Sequence, residues 1–383
     1  MDSRAFRPVF AASASIFAII LVIFVAGCQS EGAAPRKADD YNPDADSLRL
    51  PGEVHLRNVR QLTFGGNNAE AYWSPDSKQL IFQSDNPDIN PQGCDQIFVM
   101  NVDGSNVDGT DSRYHLLSTG KGRTTCSYFM GDRVIYSSTH AAGSACPPPV
   151  FRSETGKYVW PIYDTYDIYS AARDGSDTKL LIGGDGYDAE PTVSPDGKYV
   201  VFTSTRSGDL ELWRYEIETG EVLQLTNTLG YDGGAFFSPD SKKIVWRASR
   251  PEGAAADEYK ELLDNGMVQP TALNIFVADI DGSNVVQVTD LPGANWAPFF
   301  HPDGKRIVFT TNHHMIETDP RVFDIFIVNL DGTGLDQVTH FNSFDGFPMF
   351  SPDGKRIAFS SNRNNGNTSD TNVFVADWYD PVN

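Results

Sequence analysis

The chain has 383 residues, 40% hydrophobic and 12% aromatic, with 51 acidic against 30 basic side chains and a net charge of −21. That balance excludes a nucleic-acid partner, because no basic patch exists to neutralise phosphates. The acidity is spread through turns, as a solvated surface requires.

Arg4 and Arg7 precede an apolar run from Ile16 to Val25, and Val25-Ala26-Gly27-Cys28 follows. This is the pattern of an export signal, with an apolar run too short to span a membrane comfortably. Cysteine directly after Val-Ala-Gly resembles the lipobox of bacterial lipoproteins. The resemblance implies that residues 1–27 are a signal peptide and that Cys28 carries the lipid; an ordinary secretory signal is the alternative. Several acyl chains would anchor the protein stably, and 28–53, rich in Ala, Pro, Asp and Gly, is expected as a flexible tether. Gln29, where an aspartate would signal inner-membrane retention, implies the outer membrane, on its periplasmic side or its surface.

From residue 54 the chain is repetitive. Ser-Pro-Asp-(Gly/Ser)-Lys occurs at Ser74, Ser194, Ser238 and Ser351, with a variant at His301 and an eroded copy at Phe129-Met130-Gly131-Asp132-Arg133. Proline presets φ, aspartate bonds its own backbone and glycine accepts positive φ, so each phrase is a tight hairpin. An aromatic strand follows each: Phe82, Tyr136, Phe202, Trp246, Phe309 and Phe359 mark them. Phe202 and Trp246 are 44 residues apart, the length of a four-stranded propeller blade of roughly 40–45 residues. Third strands recur at 96–99, 167–169, 211–213, 274–277, 324–327 and 372–375, and fourth strands follow only five of them. The sixth lies at the other end of the chain, as Gln61-Leu62-Thr63. The expected fold is therefore all-β: a six-bladed β-propeller of four-stranded antiparallel blades over 54–379. The amino-terminal strand completes the last blade and removes the open edge; 380–383 is a tail.

Asn67-Asn68-Ala69-Glu70-Ala71-Tyr72-Trp73-Ser74-Pro75-Asp76 and Gln96-Ile97-Phe98-Val99-Met100-Asn101 resemble the propeller repeats of the TolB family. The resemblance covers nearly all of 54–379 and implies the fold. TolB itself has an α/β domain before its propeller where a tether is expected here, so a TolB-like protein other than TolB is expected. Similar repeats occur in propellers of prolyl-oligopeptidase-type peptidases and oligogalacturonate lyases, but no Gly-x-Ser-x-Gly nucleophile elbow occurs here.

Six positions before each of the other five phrases stand Asn68, Asp188, Asp232, Asn295 and Asp345, and Gly122 precedes the eroded copy by seven. They are expected around one mouth of the central channel, capping their own turns or tying blades together; a ring holding a hard cation is the alternative. Glu70 and Glu190, two residues further in, would make that mouth acidic, and Trp296 adjoins it. Second strands end at the same face with Asp85, His140, Arg206, Arg250, His313-His314 and Arg363. The arginines are expected to pair with neighbouring aspartates, or else to clamp a carboxylate. The histidines are the best metal candidates, although no metal or other cofactor is expected.

Insertions at 85–95, 140–165, 250–272 and 312–322 all decorate one face, the third with a short helix over 254–263. One disulfide is expected among Cys94, Cys126 and Cys146. Cys126–Cys146 is preferred because both belong to one blade, with Cys94 open as a partner. The decorated face is expected to bind a protein or peptide of the cell envelope, on a monomeric propeller. The alternative is a hydrolase or lyase using the rim histidines and acids on envelope or extracellular peptide or polysaccharide.

Overall fold

The computed structural model describes residues 45–149 and 156–381. The signal segment, Cys28 and most of the tether lie outside the described residues. No helix among the described residues is long and apolar enough to cross a membrane.

Among the described residues, six four-stranded antiparallel sheets form the body of the fold. Blade 1 runs Asn68–Trp73, Gln79–Ser84, Gln96–Asn101, Tyr114–Leu116 from its inner to its outer strand. Blade 2 begins with Thr124–Met130, blade 3 with Asp188–Val193, blade 4 with Asp232–Phe237, blade 5 with Asn295–Phe300 and blade 6 with Asp345–Phe350. In blade 6 the outermost strand is Leu56–Gln61, paired antiparallel with Asn372–Trp378. The aromatic marker of each second strand sits in the blade's centre, and Phe82, Tyr136, Phe202, Trp246, Phe309 and Phe359 are all buried.

The repeated phrase works through its serine. Ser74 Oγ donates to Asp76 Oδ1 at 2.6 Å and accepts from the backbone N–H of Gln79 at 2.9 Å. The same closure recurs at Ser194, Ser238 and Ser351. At His301 the ring Nδ1 accepts from the Asp303 N–H instead, at 3.1 Å. In the five phrases other than the eroded one the fourth position has positive φ, from 60° at Ser77 to 72° at Gly197. The two serines at that position join blades: Ser241 Oγ accepts from the Asp196 N–H and Ser77 Oγ from the Asp353 N–H. The eroded copy leaves a two-residue hairpin, Gly131-Asp132, between paired Met130 and Arg133.

The end of the expected tether is docked rather than loose. Glu53 is fully buried and accepts from Arg363 at 2.8 Å and from the Leu50 N–H at 2.7 Å, while Arg363 also donates to the Leu48 carbonyl at 3.0 Å. A buried guanidinium needs its charge matched; Asp345 supplies one carboxylate and Glu53 the other. The insertion helix spans Ala254–Asp264. Trp160–Pro161 and Met267–Val268 form a two-stranded ribbon joining the insertions of blades 2 and 4.

One buried carboxyl in blade 3 has a testable consequence. Glu211 is 2% exposed and its Oε2 has no hydrogen-bond partner among the described residues. Burial, with Asp232 and Asp209 nearby, pushes it up to about 7 against the Thr226 hydrogen bond. A raised carboxyl stabilises the fold fully below its ordinary 4.5 and loses that contribution as pH rises through 7. Glu211→Gln is therefore expected to gain on the order of 1–3 kcal/mol at pH 8 and little at pH 4.5. Urea titrations at both values check this; equal effects at the two pH values contradict it.

Candidate functional site: a blind chamber in the propeller channel

Each inner strand carries a register shift at the same place: between Ala69 and Tyr72, Thr125 and Ser127, Ala189 and Thr192, Gly233 and Phe236, Trp296 and Phe299, and Gly346 and Met349. A bulge adds a residue, breaks strict alternation and re-aims side chains. The bulge residues Glu70, Cys126, Glu190, Gly234, Ala297 and Phe347 all have φ between 40° and 60°, and all six line one cavity in the channel. Asn67, Arg123, Tyr187 and Tyr231, three residues earlier, line it as well.

This bulge corrects the expected ring. Asn68, Asp188, Asp232, Asn295 and Asp345 are turned into the sheets and do not line the chamber. Asp188 pairs with Arg206 at 2.7 Å, and Asp232 takes both Arg250 amino groups at 2.8 Å plus the Trp246 indole N–H. Asp345 pairs with Arg363. Asn68 Oδ1 accepts from Ser84 Oγ at 2.8 Å, and Asn295 Oδ1 from Thr311 Oγ at 2.6 Å. They tie the first strand to the end of the second. In blade 2 the corresponding residue is Thr124, paired with Ser138, and its Oγ1 donates to the Asp95 carbonyl at 2.9 Å; the expected Gly122 lies two residues earlier and accepts at its carbonyl from Gln96 Nε2 at 2.9 Å.

The second-strand ends repeat one arrangement. His140, Arg206, His313 and Arg363 each follow a Ser or Thr by two residues and return to its hydroxyl. Four rings or guanidinia at this position then lie over a third-strand aromatic: His140 on Tyr169 at 4.2 Å, Arg206 on Trp213 at 5.3 Å, Arg250 on Phe276 at 4.9 Å, His313 on Phe326 at 4.7 Å. His314 bonds Asp324 at 2.9 Å. His140, His313 and His314 are therefore each held inside their own blade. No group of three or more His, Cys, Asp or Glu that could hold a metal ion exists among the described residues. Asp85 bonds Asn67 through both carboxylate oxygens and does line the chamber.

The chamber has a cavity volume of about 410 Å³. Its floor is aromatic: Tyr72 stacks on Phe236 across the axis at 5.8 Å, Phe236 meets Phe299 at 5.2 Å and Tyr72 meets Tyr128 at 5.7 Å. Below that floor lies a second, apolar cavity of about 510 Å³, walled by prolines and aromatics of the hairpin face. The channel is thus divided. Around the mouth, Trp160 meets Trp296 at 6.0 Å, and Trp296 meets Phe347 at 4.8 Å, Phe323 and Phe344.

Polar groups occupy the other side of the wall. Arg247 reaches inward from the second strand of blade 4 because Gly234 lies in its path; a Cβ there would overlap its guanidinium. It pairs with Glu190 and bonds Tyr231 Oη. Glu190 also accepts from Thr203 Oγ at 2.6 Å, Tyr231 Oη at 2.8 Å and the Gly234 N–H at 2.8 Å. Burial pulls its carboxyl upward, but Arg247 and these donors outweigh it and hold Glu190 below its ordinary value. Asp95 pairs with Arg123 at 2.6 Å; burial still leaves its carboxyl raised. Glu70 Oε2 accepts from Tyr72 Oη at 3.0 Å and from Cys126 Sγ at 3.1 Å. Burial raises Glu70, and it raises the Cys126 thiol with help from the charges of Glu70 and Glu190.

Cys126 therefore faces the channel and is the free cysteine among the described residues; the disulfide joins Cys94 to Cys146. The preferred Cys126–Cys146 pairing is corrected by the same bulge, which turns Cys126 away from the rim. At the rim the insertions of blades 1 and 2 meet, with Gln92 Nε2 donating to the Ser144 carbonyl at 2.6 Å. The bridge closes 52 residues, worth about 4 kcal/mol of loop-closure entropy. Cys94→Ser is expected to lose an amount of that order in denaturant titrations under oxidising conditions. Cys126→Ser should leave that sensitivity to reductant intact; if Cys126→Ser abolished it instead, the pairing would be wrong.

The fold defines the class: a closed six-bladed propeller with a divided channel and an elaborated mouth. Its repeats are TolB-like. Residues 267–369 match the family described as the TolB beta propeller domain. The Tol-Pal system protein TolB of Francisella tularensis subsp. mediasiatica is 29% identical over 173 residues, 38% of this chain and 40% of that protein. The chain spans less than half the length of the curated relatives it matches. Among solved structures, a putative TolB from Agrobacterium tumefaciens superposes with a TM-score of 0.52 at 19% identity, covering 83% of this chain and 91% of that one. An oligogalacturonate lyase in complex with manganese superposes with a TM-score of 0.50 at 13% identity, over 84% and 93%. These structural likenesses carry the fold alone.

Proposed function

We propose that this protein is an exported, lipid-anchored TolB-like propeller that binds a polypeptide of the cell envelope at its insertion-bearing mouth. The observation that carries the reading is the blind chamber of about 410 Å³ behind an aromatic rim. A blind, aromatic-walled recess accepts an inserted side chain or chain end, the anchor-in-pocket arrangement that dominates protein recognition. Export is supported by the Cys94–Cys146 disulfide, since such bridges persist in oxidising compartments. Anchoring at Cys28 rests on the Val25-Ala26-Gly27-Cys28 pattern. Against a histidine-based enzyme stands the separation of His140 in blade 2 from His313 and His314 in blade 5, each engaged by its own blade.

Placing a photo-crosslinking amino acid at Tyr158, 54% exposed beside the chamber, tests the reading in cells. A covalent adduct with one envelope polypeptide is expected, lost when Trp296→Ala is added to a protein of unchanged melting temperature. Absence of any Trp296-dependent adduct, together with turnover of oligosaccharides by the purified chain, would replace binding by the enzymatic reading. Cys28→Ser should move the protein out of the membrane fraction; unaltered, lipid-labelled protein in that fraction would remove the anchor.

A further inference from the structure

The charges within the chamber do not cancel. Asp95 is matched by Arg123 and Glu190 by Arg247, whereas Glu70 has only the neutral Tyr72 hydroxyl and Cys126 thiol as hydrogen-bond donors among the described residues. A buried carboxylate without a counter-ion is costly, and a cation brought to it recovers that cost. Across the chamber, Arg247 is 8% exposed and its Nε–H has no acceptor among the described residues. Among the described residues, Glu70 and the half-buried Asp85, which bonds only the neutral Asn67, therefore both lack a cation in this recess, while the Arg247 charge is taken by Glu190. Trp160 and Trp296 stand at its mouth, and aromatic faces attract cations on their way in.

Resting on the reading above, we propose that the chamber takes the primary ammonium group of the partner polypeptide, from an amino terminus or a lysine side chain. Glu70 is its counter-ion. An ammonium suits the site better than a metal ion, because no cluster of three or more metal-ligating side chains exists among the described residues. A partner carboxylate would meet Glu70 and Glu190 at close range. The net charge of −21 also steers cationic segments towards the molecule.

Calorimetric titration of the purified full chain with three small probes tests this. Alanyl-alanine amide presents a free α-ammonium, Nα-acetyl-lysine methylamide a side-chain ammonium, and Nα-acetyl-norleucine methylamide neither. At least one ammonium probe is expected to bind saturably and at least tenfold more tightly than the neutral one; which of the two binds identifies the source. Glu70→Gln, which preserves shape and hydrogen bonding to Tyr72, should weaken that binding at least tenfold without lowering the melting temperature. Equal affinities for all three probes, no saturable binding, or full affinity in Glu70→Gln would each overturn the proposal. The crosslink from position 158 separates the two readings: if it persists while the probes fail, docking stands and the ammonium site falls.

Discussion

Replacing Arg247 by methionine is expected to destabilise the propeller by about 3–5 kcal/mol, the cost of leaving a buried carboxylate without its partner. Glu190 and Arg247 are both almost wholly buried and share Tyr231. The double variant Glu190→Gln/Arg247→Met removes the stranded charge and should recover most of the loss, so the cycle shows a coupling of several kcal/mol. The pH response should reverse as well. In the wild type Glu190 is held below its ordinary value, so its contribution is present above 4.5 and lost as pH falls through the folded-state value. In Arg247→Met burial is opposed only by the Thr203, Tyr231 and Gly234 donors, so the carboxyl rises and acidification should stabilise the variant. Equal losses in the single and double variants would show that packing, not charge, is what Arg247 contributes.

The second large effect concerns ring closure. Deleting 54–63 is expected to cause unfolding or aggregation, whereas deleting 29–44 should leave the melting temperature unchanged. Leu56, Val59 and Leu62 are all buried, and each buried aliphatic side chain contributes about 1.5–3 kcal/mol. Their loss would also strip Asn372–Trp378 of its outer partner and leave an unpaired sheet edge. An unchanged melting temperature for the 54–63 deletion would show that the sixth sheet is stable with three strands. The docking of Glu53 on Arg363 adds a graded expectation: deletions ending between 45 and 53 should fall between these extremes.

The blade architecture was legible because it depends on local chemistry repeated many times. A serine that closes its own hairpin, an aspartate that bonds its own backbone and a fourth residue with positive φ need no distant partner. The aromatic marker of each second strand reports a centre that every blade must fill. The count of five fourth strands against six third strands even located the strand Leu56–Gln61 at the far end of the chain. The helix at Ala254–Asp264 was visible for the same local reason.

The chamber was not legible in the same way, although its signal was present. Strict alternation places Asn68, Glu70 and Tyr72 on one face; the bulge at Glu70 turns Asn68 into the sheet while Glu70 and Tyr72 face the channel. Four residues before each phrase stand Glu70, Glu190, Gly234, Ala297 and Phe347, and only the positive φ there reveals that these, with Cys126, form the ring. The same rotation moved Cys126 away from Cys146 and left Cys94 as the partner. Arg247 reaches the channel only because Gly234 leaves room, a relation between two strands that no single segment encodes. By itself the sequence determined how many blades there are and how each is closed, since those follow from short-range hydrogen bonds and side-chain burial. Which side chains meet at the axis was decided by the tertiary structure, because six bulges and the packing between blades fix where each inner strand points.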